Sequence, residues 1–370
     1  MTELQELARP WPPPPSAPRR RRRRGRIVVW VVVAAVLLIG LIGMLVRLPY
    51  VLISPGRATA VDGAVTIDGA PTYDHKGEVL YLTVQVSTSR PNLWRMVSAW
   101  LDDDTEIVDE QDVLGGRTRA EDARLNRLEM ANSQMVAKTV ALERLGYTVT
   151  ATGDGVAVVA ITPGSPADGK LRTGDVITAV DGHPVTLSDE LGPAIRVHAP
   201  GEPVTLAVER DGDAREIEVG TRAAPDGPCE GKAQLGIVGR TRDEKFDYPV
   251  DVKIDTGRVG GPSAGLAFTL TILDELTPGD LTGGRPVAVT GTIEPDGSVG
   301  PIGGVAQKAV AAKDAGAKLF LVPDDEAKDA RDHANGMKVV GVATLDEALR
   351  ALRRNGGEVD VSPAAPAPAC

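Results

Sequence analysis

Ile27 to Val46, reading IVVWVVVAAVLLIGLIGMLV, is an apolar run with no charge anywhere in it. Twenty residues at about 1.5 Å each make a helix roughly 30 Å long, the thickness of a bilayer core. Such a segment leaves the chain two choices, lipid or deep burial. Its flanks favour lipid. Arg19–Arg24 and Arg26 precede it, and Trp30 and Tyr50 stand near its two ends, where interfacial aromatics belong. The clustered arginines predict that residues 1–26 are cytoplasmic and that everything after Arg47 lies outside, on a chain crossing the plasma membrane once. A cleaved signal peptide fits less well, since its apolar region is about 7–15 residues long. Ala58-Thr59-Ala60, a small-residue triplet, also lies well beyond the run. WPPPPSAP, before the arginines, reads as an extended, disordered segment.

The remaining chain has to build its own core. At 370 residues it is long enough for two or three domains, and with aromatics at 3% that core must be mostly Val, Leu, Ile and Ala. Residues 1–26 hold eight Arg against Glu3 and Glu6, a net of +6, so the overall −10 leaves −16 on the rest. An acidic body of that kind lacks the basic footprint of a nucleic-acid-binding protein. Cys229 and Cys370 supply neither a disulfide framework nor a cysteine-rich metal site. The four histidines (His75, His183, His198, His333) form no H-x-x-x-H pair, so neither metal nor cofactor is expected.

Residues 47–145 read as strands and turns, ending in a mostly buried strand within GEVLYLTVQVS, followed by two helices. SRPNLWRMVSAWL opens with Ser89 and Pro91 and predicts a short helix. EDARLNRLEMANSQMVAKTVALERLG predicts a long one, stopped by Gly146. Its Leu125, Leu128, Met135, Val136 and Leu142 fall broadly on one stripe, as expected of a helix docked on a core. Residues 146–222 change texture to short strands with turns at Asp181-Gly182 and Asp211-Gly212, and a short helix in SDELGPAIRVHA. Here Ser165-Pro166-Ala167, Leu171 and GDVITAVDG (174–182) resemble a PDZ domain of the bacterial protease type. That resemblance implies capture of an extended peptide as an added strand. It puts the peptide-carboxylate loop at Leu145, Gly146 and Tyr147, and leaves open a packing module without a ligand.

After a linker at 223–234, residues 235–355 carry the chemistry, and 356–370 form a tail. Gly261-Pro262-Ser263-Ala264-Gly265 fits G-x-S-x-G, the pattern of a nucleophile elbow. It stands between a predicted strand and a predicted helix, where free N–H groups favour developing negative charge. Lys308 falls in the first turns of a later helix among Val305, Ala306, Ala309 and Val310. Apolar burial there would lower its pKa towards the range of a general base. GGPSAGLAFTLTILDELT (260–277), VAVTGTI (287–293) and VGPIGGVAQKAVAAKDAGAKLFLVP (299–323) together resemble the proteolytic domain of Lon-type serine peptidases. The resemblance implies Ser263 as nucleophile, Lys308 as general base and Thr290 as the threonine that hydrogen-bonds the lysine.

KGEVLYLTVQVS and the long helix resemble the opening of the same domain. The expected fold class is therefore α/β (α+β): a Lon-type proteolytic domain interrupted by a mainly-β PDZ domain, between Gly146 and about Phe246, after a single N-terminal transmembrane helix. No G-x-x-x-x-G-K-[ST] occurs, so the expected activity is ATP-independent serine endopeptidase cleavage of extracytoplasmic proteins or peptides. Gly260 stands where soluble Lon commonly has an acidic residue. Homo-oligomerisation is implied by the resemblance alone. Two alternatives stand beside this one: an inactive, membrane-tethered PDZ adaptor, and an α/β-hydrolase esterase whose only downstream histidine would be His333.

Overall fold

The computed structural model describes residues 20–225 and 229–361; the proline-rich segment and SPAAPAPAC lie outside them. Of these, residues 20–54 and 85–119 form one compact unit, and 55–84, 120–225 and 229–361 form another.

The first unit begins with α1 (Arg20–Leu45), whose apolar side chains are almost all exposed. Within it, Arg26–Leu45 is long and apolar enough to cross a membrane. The chain then enters a strand whose Tyr50–Ile53 pairs antiparallel with Glu106–Asp109. The predicted short helix is α2 (Leu93–Trp100), capped by Asn92 rather than Ser89: its side chain accepts from the Arg95 N–H at 2.9 Å. A further turn, α3 (Glu110–Leu114), is capped by Asp109 and stopped by Gly115 at φ +54°.

In the second unit the helices are α4 (Arg119–Arg144), α5 (Ser188–Arg196), α6 (Gly265–Glu275), α7 (Val305–Asp314), α8 (Ala327–His333) and α9 (Leu345–Arg354). Four parallel strands run side by side: Lys338–Val342, Leu319–Pro323, Pro286–Val289 and the strand that starts at Glu78. Alternation splits them between two cores. Val79, Tyr81, Val287, Val289, Leu319 and Leu321 point to one face, with α4, α6 and α9. Leu80, Leu82, Ala288, Phe320 and Val322 point to the other, with α7 and α8. Strands covered on both faces read as unbroken apolar runs, which is why LFLVP shows no polar alternation.

The long helix α4 meets its core differently from the predicted stripe. Met130, Ser133, Ala137, Val140, Ala141 and Leu142 are buried, while Leu125 and Leu128 are exposed. Small residues make the contact, because the backbone of the α6 loop comes in close. A Cβ on Gly265 would stand 2.8 Å from Ser133 Oγ and 2.9 Å from Ile293 Cγ2, so only glycine fits.

Between the two parts of this core lies a second, self-contained one. Its antiparallel sheet has the order 213–220, 203–210, 176–180, 156–161, 237–241, with α5 beside it. Both Asp-Gly turns take left-handed pairs, Asp181 and Gly182 at φ +50° and +80°, Asp211 and Gly212 at +54° and +87°. Those values suit the hairpin turn whose twist matches the flanking strands. The buried Asp175 carboxylate accepts from both Arg210 Nε and Nη2 at 2.7 Å, and this pairing holds it below the usual carboxylate range. Thr150–Thr152 pairs with Lys245–Asp247, so the chain enters and leaves this module side by side. A short pairing of Arg222–Ala223 with Ala233–Gln234 brackets the segment predicted as a linker.

Leu142 tests whether α4 is structurally part of the downstream core. Leu142→Ala is expected to lower the unfolding free energy by about 2–5 kcal/mol, read from urea denaturation of the Ser263-containing core. A loss under about 0.5 kcal/mol, the size of an ordinary surface change, would separate the helix from that core.

Candidate active site

Ser263 sits one residue before Ala264, the N-cap of α6, in a loop pinned from several sides. Gly261 takes φ +92°, which disfavours any side chain, and its N–H donates to the Asn126 carbonyl at 2.8 Å. Ser133 Oγ, also from α4, donates to the Pro262 carbonyl at 2.9 Å. The Ser263 carbonyl accepts from the Gly291 N–H at 2.9 Å and from Thr290 Oγ1 at 3.2 Å. The Gly265 and Leu266 N–H groups are already given to the Pro262 and Gly291 carbonyls. Among the described residues the Ser263 N–H has no such partner and remains free to donate.

Lys308 reaches this loop from α7, which starts after Gly304 in the left-handed region at φ +67°. The helix is laid flat by small residues, and Ala309 and Ala312 bury completely. Lys308 itself is 2% exposed and Thr290 is fully buried. The lysine Nζ donates to Ser263 Oγ at 2.9 Å and to Thr290 Oγ1 at 3.2 Å. Burial pushes its pKa from 10.5 down to about 8, against the opposing field of Glu326. At pH 7 a group of pKa 8 is neutral in about one molecule in ten, whereas an ordinary lysine is neutral in roughly one in 2,500.

Three of the predicted site residues thus converge, and the others do not. Leu145, Gly146 and Tyr147 form the stop of α4. Gly146 takes φ +85°, the Tyr147 N–H donates to the Leu142 carbonyl at 3.0 Å, and Leu145 and Tyr147 pack on the α4–α6 core. A groove in the inserted module lies elsewhere. It is a hollow of about 230 Å³ between α5 and the edge strand Ile237–Thr241, lined by Leu191, Gly192, Ile195, Leu235, Gly236 and Ile237. Gly236 is forced to be glycine: its φ is +80°, and a Cβ would stand 2.3 Å from that of Ser165. His333 is half-buried on α8 and bonds the Asp329 carbonyl of its own helix at 3.0 Å. The side chain in hydrogen-bonding reach of Ser263 Oγ is that of Lys308.

Sequence reading missed Glu326, whose Oε1 accepts from the Ile302 N–H at 2.9 Å and whose charge acts on Lys308. It also missed the Asn126 and Ser133 clamp. Glu326 is one of three acidic residues after the strand 319–323, and nothing in that run distinguishes the one that folds inward.

Residues 233–353 match the Lon protease (S16) C-terminal proteolytic domain, and residues 143–221 match a PDZ domain. The chain therefore combines a PDZ domain with a Lon-type proteolytic domain. It is 33% identical over 118 residues to the Lon protease of Rickettsia felis, covering 30% of this chain and 15% of that protein. It is 38% identical over 110 residues to that of Azorhizobium caulinodans, covering 29% and 13%. The chain thus spans under a fifth of the length of these curated relatives. Among solved structures it is similar to the PDZ domain of an SdrC-like protein from Listeria innocua. That match is 29% identical, covers 23% of this chain and 93% of that one, and has a TM-score of 0.21.

The lysine leaves a thermodynamic signature. Between pH 8 and 10.5 the unfolded chain binds more protons at this residue than the folded one, so its contribution to stability rises with pH through that window. Below it, the buried ammonium costs roughly 3 kcal/mol. Lys308→Met is expected to be more stable than wild type at pH 7 by about 1–3 kcal/mol, an advantage that shrinks towards pH 10.5. Urea midpoints measured across this range check it; equal midpoints at every pH would contradict the burial.

Proposed function

We propose that this chain is a membrane-anchored, ATP-independent serine endopeptidase working through a Ser263–Lys308 dyad. The observation that carries the reading is the contact at 2.9 Å between a half-buried serine and a lysine of lowered pKa. In the neutral-lysine state the Ser263 hydroxyl donates to Nζ. As Oγ attacks a peptide carbonyl, the proton passes to Lys308, which then gives it to the leaving amine. Water, deprotonated by the same lysine, hydrolyses the ester and frees Ser263. The Ser263 N–H and the N-terminal end of α6 are suited to the oxyanion. Thr290 holds Nζ on the serine, and the mechanism needs no nucleotide, metal or cofactor.

The groove beside α5 is our proposed substrate selector, in place of the loop at 145–147. An extended peptide can add to the free edge of Ile237–Thr241, with an apolar side chain lowered onto Leu191 and Ile195. The apolar helix Arg26–Leu45 would hold both domains at the outer face of the plasma membrane, with the arginine-rich segment inside. The PDZ module would then be an insertion in the protease, entered and left through the 150–152 and 245–247 pair.

The full chain in vesicles, given an unfolded peptide and a serine-reactive probe, tests the dyad. Ser263→Ala and Lys308→Ala are each expected to lower turnover at least about 10³-fold and Thr290→Val about 10–100-fold. Wild-type labelling should rise with pH up to about 8 and then level. Cleavage that survives Lys308→Ala would overturn the dyad, and absence of both labelling and turnover would leave an inactive adaptor. For the groove, Gly192→Tyr is expected to raise KM about tenfold at unchanged kcat and unchanged probe labelling; an unaltered KM would remove the selector.

A further inference from the structure

Helix α2 leaves its apolar face uncovered. Leu93, Trp94, Val97, Trp100 and Leu101 lie at i, i+4 and i+7 spacing on one face, and all are exposed, Trp100 by 75% and Leu101 by 71%. Its polar Arg95 and Ser98, also exposed, border an open hollow of their own unit with Ser87 and Asp102, and Ala99 is its buried residue. A surface helix of a soluble domain has the opposite arrangement.

The apolar face is continuous with α1. Trp94 Nε1 donates to the Gly40 carbonyl at 3.0 Å. Gly43 leaves the notch for that ring, since a Cβ there would stand 2.5 Å from Nε1. The chain just past α1 pins the start of α2: Arg47 bridges Asn92, and the Leu48 N–H donates to the Pro91 carbonyl at 3.0 Å. Gly40 is five residues from the end of α1 at Leu45, about 7.5 Å along the helix axis. Amphipathic helices in the interface bury their apolar face by about 5–10 Å.

We propose that α2 lies in the outer leaflet at the headgroup–acyl boundary, as a second membrane contact beside the span. The occupant of its apolar face is lipid. This rests on the reading that α1 crosses the bilayer. Trp94 and Trp100 then belong to the aromatic belt, and the polar side of α2 faces the folded unit above the leaflet.

Tryptophan quenching in phosphatidylcholine vesicles tests both statements separately. One full-length variant, carrying Trp11→Phe, Trp30→Phe and Trp94→Phe, keeps Trp100 alone. A second, carrying Trp11→Phe, Trp94→Phe and Trp100→Phe, keeps Trp30 alone. Phenylalanine at 94 keeps a ring in the Gly43 notch. The expected result is loss of Trp100 fluorescence with acyl-chain-brominated lipid, strongest for bromines near the headgroup, with a blue-shifted emission and protection from acrylamide. Trp30 quenched while Trp100 stays open to acrylamide overturns the proposal and leaves the span standing. Trp100 shielded from acrylamide yet untouched by bromine also overturns it, because protein then covers the face. If neither tryptophan responds to brominated lipid, the span itself fails and this contact with it.

Discussion

A single buried amine organises the second unit. An ammonium 2% exposed is costly unless its donors are used, and Lys308 uses them on Ser263 and Thr290. Thr290 in turn holds the Ser263 carbonyl, so the lysine and the two hydroxyl side chains are tied into one short circuit. The remaining architecture serves that circuit. Parallel strands put Thr290 at the end of Pro286–Val289, α6 starts just after the serine, and α7 brings the lysine across from the other core. Glycines at 261, 265 and 304 stand where the backbones come too close or turn too sharply for any side chain.

The circuit is also supported from far away in sequence. Asn126 and Ser133 of α4 take up the backbone of the serine loop, and Val79 and Tyr81 pack with Leu266 and Leu270 in one core. The matched segment 233–353 therefore does not bury its own apolar surface unaided. Glu326 adds a quieter influence, its carboxylate keeping the lysine pKa from falling further than about 8.

What could be read from the chain follows from how local each signal is. Ser263, Lys308 and Thr290 were legible because three motifs keep their order and composition, and the apolar helix because twenty uncharged residues admit few settings. The Asp-Gly turns were legible because their backbone demands those residues. Gly146 is ambiguous in sequence: a left-handed glycine after Leu145 serves equally as a ligand loop or a helix stop, and the packing of Leu145 and Tyr147 is not encoded locally. The groove was hidden because its edge strand, 237–241, comes from beyond the recognisable PDZ texture and pairs with residues some eighty positions earlier. Of the stripe predicted on α4, Leu142 is buried and Val136 packs on the core, while Leu125 and Leu128 are exposed because small residues, Ser133 and Ala137, make contacts that a hydrophobic pattern assigns to leucine.

The side-by-side entry and exit of the inserted module bears on how the chain assembles. Strands at 78–86 and 286–289 must find each other across some two hundred residues, and non-local pairing of that kind is slow. The module between them has its own core and closes mostly on itself. Once it has folded, Thr150–Thr152 and Lys245–Asp247 are held together, and the effective loop shortens by nearly half. Each halving lowers the closure cost by roughly 0.6 kcal/mol. The module then acts as a splint: it sets the segments before and after it beside each other before they have any contact of their own.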